Sequence, residues 1–189
     1  MALYEMQSDK LVEIDEVSFT EQGIRERGDL QRLLKEQIDA LDPDLLVLAE
    51  EFGQFEESKR RIDLLCVDRN ADLVVVELKR DNDAHMDLQA VRYAAMVSTM
   101  TFAQAELELQ RSGDQEARQT LLDHFGWDEP REDEFAQRVR ILLAAADFGK
   151  GLTTAVLWLN DQGLDITCLR LRPHRLDERA LLNIEQVIP

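Results

Sequence analysis

Positive charge, cysteine and histidine are scarce in this chain, and each scarcity excludes something. There are 22 lysines and arginines against 39 aspartates and glutamates, a formal net charge of −17 over 189 residues. A protein that holds nucleic acid through its average charge would be basic, so any such contact here has to come from a local patch. The two cysteines, Cys66 and Cys168, belong to no Cys-x-x-Cys pair, which argues against structural zinc. Both fall in apolar runs and read as small buried hydrophobes in a reducing, cytoplasmic setting. The three histidines, His85, His124 and His174, are scattered without metal-ligand spacing. No apolar run is long enough to span a membrane, and the acidic start MALYEMQSDKLVEID lacks a signal-peptide pattern. There is no Gly-rich phosphate loop, and neither Ser98 nor Ser112 sits in a nucleophile elbow.

What is present suits one globular domain over residues 1–189, with 44% hydrophobic residues and enough chain for a good core. Residues 1–23 read as a short strand around 11–14 and a loop ending at Gly23. Residues 29–40 read as an amphipathic helix with Leu30, Leu33, Leu34, Ile38 and Leu41 on one stripe, preceded by Gly28 and stopped by Asp42-Pro43. A strand over 45–52 and a hairpin over 60–80 follow. A helix is expected over 83–99, capped by Asp83, with Ala94, Ala95 and Val97 inward and Gln89 and Tyr93 on the other side. Residues 104–125 are largely helical with a break at Ser112-Gly113, then come a polar loop, a strand over 139–146, a helix over 152–160, a strand over 165–171 and an edge strand over 181–188. This order predicts an α/β fold, a mixed β-sheet flanked by helices. The end at Pro189 suggests a piece of a longer protein.

The chemistry concentrates in the hairpin RRIDLLCVDRNADLVVVELKR, from Arg60 to Arg80. Its two apolar runs hold Asp63, Glu77 and Lys79, and an unpaired buried charge costs several kcal/mol. The turn is expected at Arg69-Asn70-Ala71 with Asn70 in the left-handed conformation, so that Asp68 faces Asp72 and Asp63 faces Glu77. Opposed residues share a face with β-carbons about 5 Å apart. Lys79 shares that face by period-two alternation. A two-residue turn would break the alignment. Two carboxylates so placed repel, and a hard divalent cation, Mg²⁺ or Mn²⁺, would relieve what Lys79 does not. A lysine beside such a cation can hold a water and steady a phosphate oxygen. These are the parts needed for metal-dependent phosphodiester hydrolysis.

The tripeptide alone says little, since Glu57-Ser58-Lys59 also has the form Glu-x-Lys and lies in a polar stretch. Asp68 to Asp72 mimics the opening of a calcium loop, but Leu73 stands where glycine is needed and Lys79 where the bidentate glutamate is needed.

Asp63 followed across a hairpin by Glu77-Leu78-Lys79 resembles the PD-(D/E)XK nuclease superfamily, in particular the catalytic domain of NucS-type endonucleases. Glu26, ahead of Asp29-Leu30-Gln31-Arg32-Leu33-Leu34, is similar to the family's acidic residue at the first helix. Gln89 and Tyr93 are similar to its helix-borne Gln and Tyr. The resemblance covers residues 24–100 well and the remainder loosely. It implies a restriction-endonuclease-like core and a Mg²⁺- or Mn²⁺-dependent DNA endonuclease acting in repair, restriction or defence. Asp63 and Glu77 would bind metal, and Lys79, Gln89 and Glu26 would complete the catalytic set. Ile62 replaces the proline of the motif, and no equivalent of the NucS DNA-binding domain is visible. Glu50 and Glu51 compete with Glu26, because one of them must face inward from its strand.

Arg25, Arg27, Lys59, Arg60, Arg61, Lys79, Arg80 and Arg92 cluster near the motif, and Arg170, Arg172, His174 and Arg175 form a second group. Arg25, Arg61, Arg80, Arg92 and Tyr93 are the candidate DNA contacts. The net acidity predicts weak DNA affinity, so a homodimer, a partner protein or an additional domain would deliver the substrate. Two other readings stay open: a catalytically inactive nuclease-fold binding or regulatory module, and an acidic DNA mimic.

Overall fold

Long runs of branched aliphatic residues build the centre of the molecule. The computed structural model describes residues 2–53, 61–80 and 86–189. The expectations placed on Lys59, Arg60, Asp83 and His85 lie outside the described residues. Strands β4 (Ile62–Val67) and β5 (Leu73–Lys79) are buried throughout except for the partly buried Lys79. Such runs need cover on both faces, and they have it. On one face helices α2 (Met86–Val97), α3 (Phe102–Arg111) and α4 (Ala117–Phe125) pack over Leu65, Val67, Leu73 and Val75. On the other, Leu30, Leu34 and Leu41 of the first helical segment pack over Leu64, Cys66, Val74, Val76 and Leu78.

The remaining strands are β1 (Leu3–Met6), β2 (Leu11–Glu16), β3 (Leu46–Phe52), β6 (Val139–Ala145), β7 (Asp165–Leu176) and β8 (Arg179–Ile188). They join one eight-stranded sheet in the order β1-β2-β7-β6-β5-β4-β3, with β8 also pairing β7. The pairs β5–β6 and β6–β7 are parallel, and the others are antiparallel. Parallel neighbours require crossovers. Helices α2, α3 and α4 supply the first, and α5 (Lys150–Asp161) the second. The expected mixed sheet flanked by helices is therefore what forms. Both cysteines are buried and unpaired, as expected.

Several local expectations are corrected. The segment over 29–40 is not one helix. It begins at Glu26 as a π-helical turn (Glu26–Gln31), continues as α1 (Arg32–Glu36) and tightens into a 3-10 turn (Ile38–Ala40). The wide turn forms because the Arg25 carbonyl accepts from both Asp29 N and Leu30 N, while Asp29 Oδ2 accepts from Arg25 N at 2.9 Å. Gly28 lies inside it, where a β-carbon would stand 2.9 Å from the Arg25 guanidinium. Leu33 is exposed rather than part of the stripe.

The hairpin turn has the expected three residues, but Ala71, not Asn70, takes the left-handed conformation (φ 63°). A three-residue loop places that residue after a type I turn. Asp68 Oδ1 fixes it by accepting from Asn70 N at 2.8 Å and Asp72 N at 3.1 Å. Strand β1 was not expected, since it pairs only β2 and has no buried side. Strand β7 runs five residues past Leu171, through Pro173. Proline offers no N–H there, but its carbonyl accepts from Val17 N at 3.0 Å.

Candidate active site

Asp63 of β4 and Glu77 of β5 meet as the odd-length turn requires. The pairs Leu64–Val76, Leu65–Val75, Cys66–Val74 and Val67–Leu73 set a register that continues to Asp63–Glu77. Asp63 is 4% exposed and Glu77 is fully buried. Asp63 Oδ2 accepts a hydrogen bond from Leu78 N at 2.8 Å. Glu77 Oε2 accepts one from Gln89 Nε2 at 2.9 Å, which brings α2 onto the site. Glu77 Oε1 is buried and makes no hydrogen bond.

Lys79 lies beside this pair. Its Nζ is 3.8 Å from Asp63 Oδ2 and 3.6 Å from Glu26 Oε1, and it donates to the Leu78 carbonyl at 3.0 Å. Glu26 arrives from the π turn, and its Oε2 accepts from Arg80 N at 3.1 Å. One ammonium thus bridges acids from two layers of the fold. Gln31 braces the strand below, donating from Nε2 to the Asp63 carbonyl at 3.4 Å.

Burial pushes both carboxyl groups upward. Glu77 rises to about 8, chiefly from burial and then from repulsion by Asp63, against the opposing effects of Lys79, the Asp63 backbone and Gln89. Asp63 is raised by burial, which outweighs the Leu78 N–H and Lys79, with smaller contributions from Glu26 and Glu51. A carboxylate kept partly protonated by its surroundings is poised to exchange that proton for a cation.

Five expected site residues, Glu26, Asp63, Glu77, Lys79 and Gln89, are therefore brought together. Among the described residues, the Asp63 and Glu77 carboxylates line no open cleft. They sit deep, and the accessible side is formed by Glu26 and Lys79, whose side chains are 31% and 19% exposed. Arg25, Arg61 and Arg92 are exposed, and Arg80 is partly buried. Arg25 is engaged by Asp29 at 3.1 Å.

Tyr93 is corrected. It is 3% exposed and packs with Phe52, Val97 and Phe102 in the core, so its ring is not available to DNA. Helix α2 buries Met86, Ala90, Tyr93 and Val97 as one stripe at helical spacing, while Ala95 is exposed. His174 is buried and takes its own strand's Arg172 carbonyl at 3.0 Å, which removes it from the second basic group.

Glu51 was left only as a competitor. Glu50 points outward to Lys35, 2.8 Å away, whereas Glu51 lies 3.3 Å from Arg27 and its charge acts on Asp63. The alternation of β3 was the signal that one glutamate had to turn in.

Among the described residues, no group of three or more His, Cys, Asp or Glu side chains is placed to hold a metal ion by itself. The donors present suit an ion that keeps much of its water. Mg²⁺ binds through one or two carboxylates plus waters and phosphate oxygens, and Asp63 with the unpartnered Glu77 Oε1 supplies such a pair.

No family model and no curated relative matches the chain. Two solved structures are similar to it. A crystal structure of a repair endonuclease from Pyrococcus abyssi is 20% identical, with a TM-score of 0.43 over 75% of this chain and 45% of that one. The structure of an EndoMS–dsDNA2 complex is 16% identical, with a TM-score of 0.45 over 90% of this chain and 64% of that one. The chain spans less than two thirds of the length of either. At such identities and scores, the functional reading rests on the geometry of the site itself.

Proposed function

We propose that this protein is a Mg²⁺- or Mn²⁺-dependent DNA endonuclease of the PD-(D/E)XK type. The observation that carries the reading is the buried pair of Asp63 and Glu77, with one Glu77 oxygen unpartnered and Lys79 alongside. A closed core has no structural use for such a pair, because replacing it with apolar residues would cost nothing in packing.

In hydrolysis a water oxygen forms a bond to phosphorus as one P–O ester bond breaks; the water proton passes to bulk solvent, and the departing oxygen takes the bond's electron pair and is protonated from solvent. The bound cation would supply charge to the phosphate oxygens and lower the proton affinity of water. Asp63 and Glu77 would hold it. Gln89 fixes the rotamer of Glu77 through its hydrogen bond. Lys79 Nζ, held near Asp63 and Glu26, would donate to the attacking water and to a phosphate oxygen. Glu26 holds Lys79 in place and anchors Arg80 N. Arg25, Arg61, Arg80 and Arg92 would meet the DNA backbone. The net charge of −17 makes that contact weak, and a second copy, a partner protein or a further domain would deliver the strand.

The same acidity favours one second reading, a DNA mimic that occupies another protein's DNA-binding surface. Incubation with single- and double-stranded DNA and RNA in Mn²⁺ separates the two. The nuclease reading expects DNA cleavage that chelation and Asp63→Ala both abolish. A folded wild-type protein that cuts no DNA, or an Asp63→Ala variant that cuts as well, would overturn it.

A further inference from the structure

Strand β3 carries a third acid in line with the site. It pairs Glu50 with Leu64 and Phe52 with Ile62, which sets Glu51 across from Asp63. Asp63 in turn faces Glu77. Glu51, Asp63 and Glu77 therefore form one row across three adjacent strands, which are about 4.8 Å apart.

Two features set Glu51 apart. Its φ of 49° is left-handed, a conformation that favours glycine and asparagine. The other non-glycine residues with positive φ among those described, Ala71, Ala136 and Asp177, lie in turns, whereas Glu51 lies inside a strand. Its Oε1 is also buried without a hydrogen bond, with only the Arg27 guanidinium 3.3 Å away and that arginine 68% exposed. Backbone strain of this kind persists where a site requires it. The unpartnered Oε1 of fully buried Glu77 in the same row independently points to a positively charged ligand.

We propose that Glu51 is a positioning carboxylate of the cation site, accepting a hydrogen bond from the hydrated cation on the β3 side of Asp63. The role rests on the metal-site reading above. It fits the absence, among the described residues, of three or more His, Cys, Asp or Glu side chains placed to hold a metal ion by themselves. A carboxylate beyond ligation distance meets the water shell that a small divalent cation keeps. Arg27 pairs with Glu51 at 3.3 Å, and its exposure leaves it free to swing away.

The test is calorimetric titration with Mn²⁺ of wild type, Glu51→Gln, Glu51→Gly, Arg27→Gln and Asp63→Asn, each checked by circular dichroism and thermal melting. Removing an outer-shell partner of a metal costs about 10- to 100-fold in affinity, so both Glu51 variants should bind Mn²⁺ at least tenfold more weakly than wild type. Glu51→Gly should also melt higher, because it relieves the left-handed strain. Arg27→Gln should bind as well as wild type or better. Wild-type affinity in Glu51→Gln, or an equal loss in Arg27→Gln, would overturn the role while leaving the Asp63–Glu77 site standing. A wild-type protein that binds no Mn²⁺ would overturn both readings.

Discussion

Glu77 and Gln89 are joined by one hydrogen bond of 2.9 Å, from the helix amide to Oε2, while the other carboxylate oxygen stays buried and unpartnered. The amide fixes which oxygen is left for a ligand. Gln89→Leu should therefore weaken Mn²⁺ binding about tenfold and lower cleavage by at least as much, as loss of an outer-shell partner does elsewhere. Gln89→Glu loses the same donor but adds a negative charge that favours a cation, so it should bind Mn²⁺ more tightly than Gln89→Leu. Titration calorimetry and steady-state cleavage would check both.

The pH dependence follows from the raised proton affinity of Glu77, about 8 against an ordinary 4.5. Between those values the folded state holds a proton that the unfolded chain has lost. The metal-free fold should thus be most stable below pH about 4.5 as far as Glu77 is concerned, and should lose that contribution as pH rises towards about 8. Cation binding should run the other way, tightening up to tenfold per pH unit across the window and levelling above it. Mn²⁺ titrations from pH 5 to 9 would show the slope, and Glu77→Gln should remove both it and the stability change.

Lys79 touches Asp63 and Glu26 from the accessible side of the site. Lys79→Ala should preserve the fold and most Mn²⁺ binding while reducing turnover about 10²-fold or more, the usual scale for a positioned proton-transfer or charge-stabilising group. Single-turnover cleavage measured beside calorimetry would separate these effects. Wild-type turnover in this variant would exclude the lysine from the chemistry.

The far end of the same strands should behave as structure alone. Arg140 reaches Asp68 at 2.8 Å, Asp42 at 3.2 Å and Asp165 at 3.7 Å, with the Asp68 side chain almost fully buried. Arg140→Ala would leave Asp68 unpaired and should cost roughly 1–3 kcal/mol, less than a fully buried pair because Arg140 remains partly exposed. Denaturant unfolding would measure it, and cleavage by the folded fraction should be unchanged.

The core of the site was legible because two rules sufficed for it. Period-two alternation and an odd loop put Asp63, Glu77 and Lys79 on one face whatever the rest of the chain does. Tyr93 was misplaced because α2 spreads its large apolar residues round the helix, with Met86 and Val97 buried but Leu88 and Met96 exposed, so periodicity does not pick the inward stripe and only the sheet beneath decides. The π turn at Glu26 was not legible either. It depends on a hydrogen bond from Arg25 N to the Asp29 side chain, which no periodicity reports. Glu51 lay between these cases. Alternation required one of two adjacent glutamates to turn in, but the left-handed backbone that turns Glu51 appears only in three dimensions.

A Mn²⁺ soak of crystals, read by anomalous scattering, tests the metal assignment most directly. The expected result is a peak within about 2.0–2.3 Å of Glu77 Oε1 and one oxygen of Asp63, absent in Asp63→Asn crystals. A peak elsewhere, or none at millimolar Mn²⁺, would contradict the metal site and the nuclease chemistry built on it.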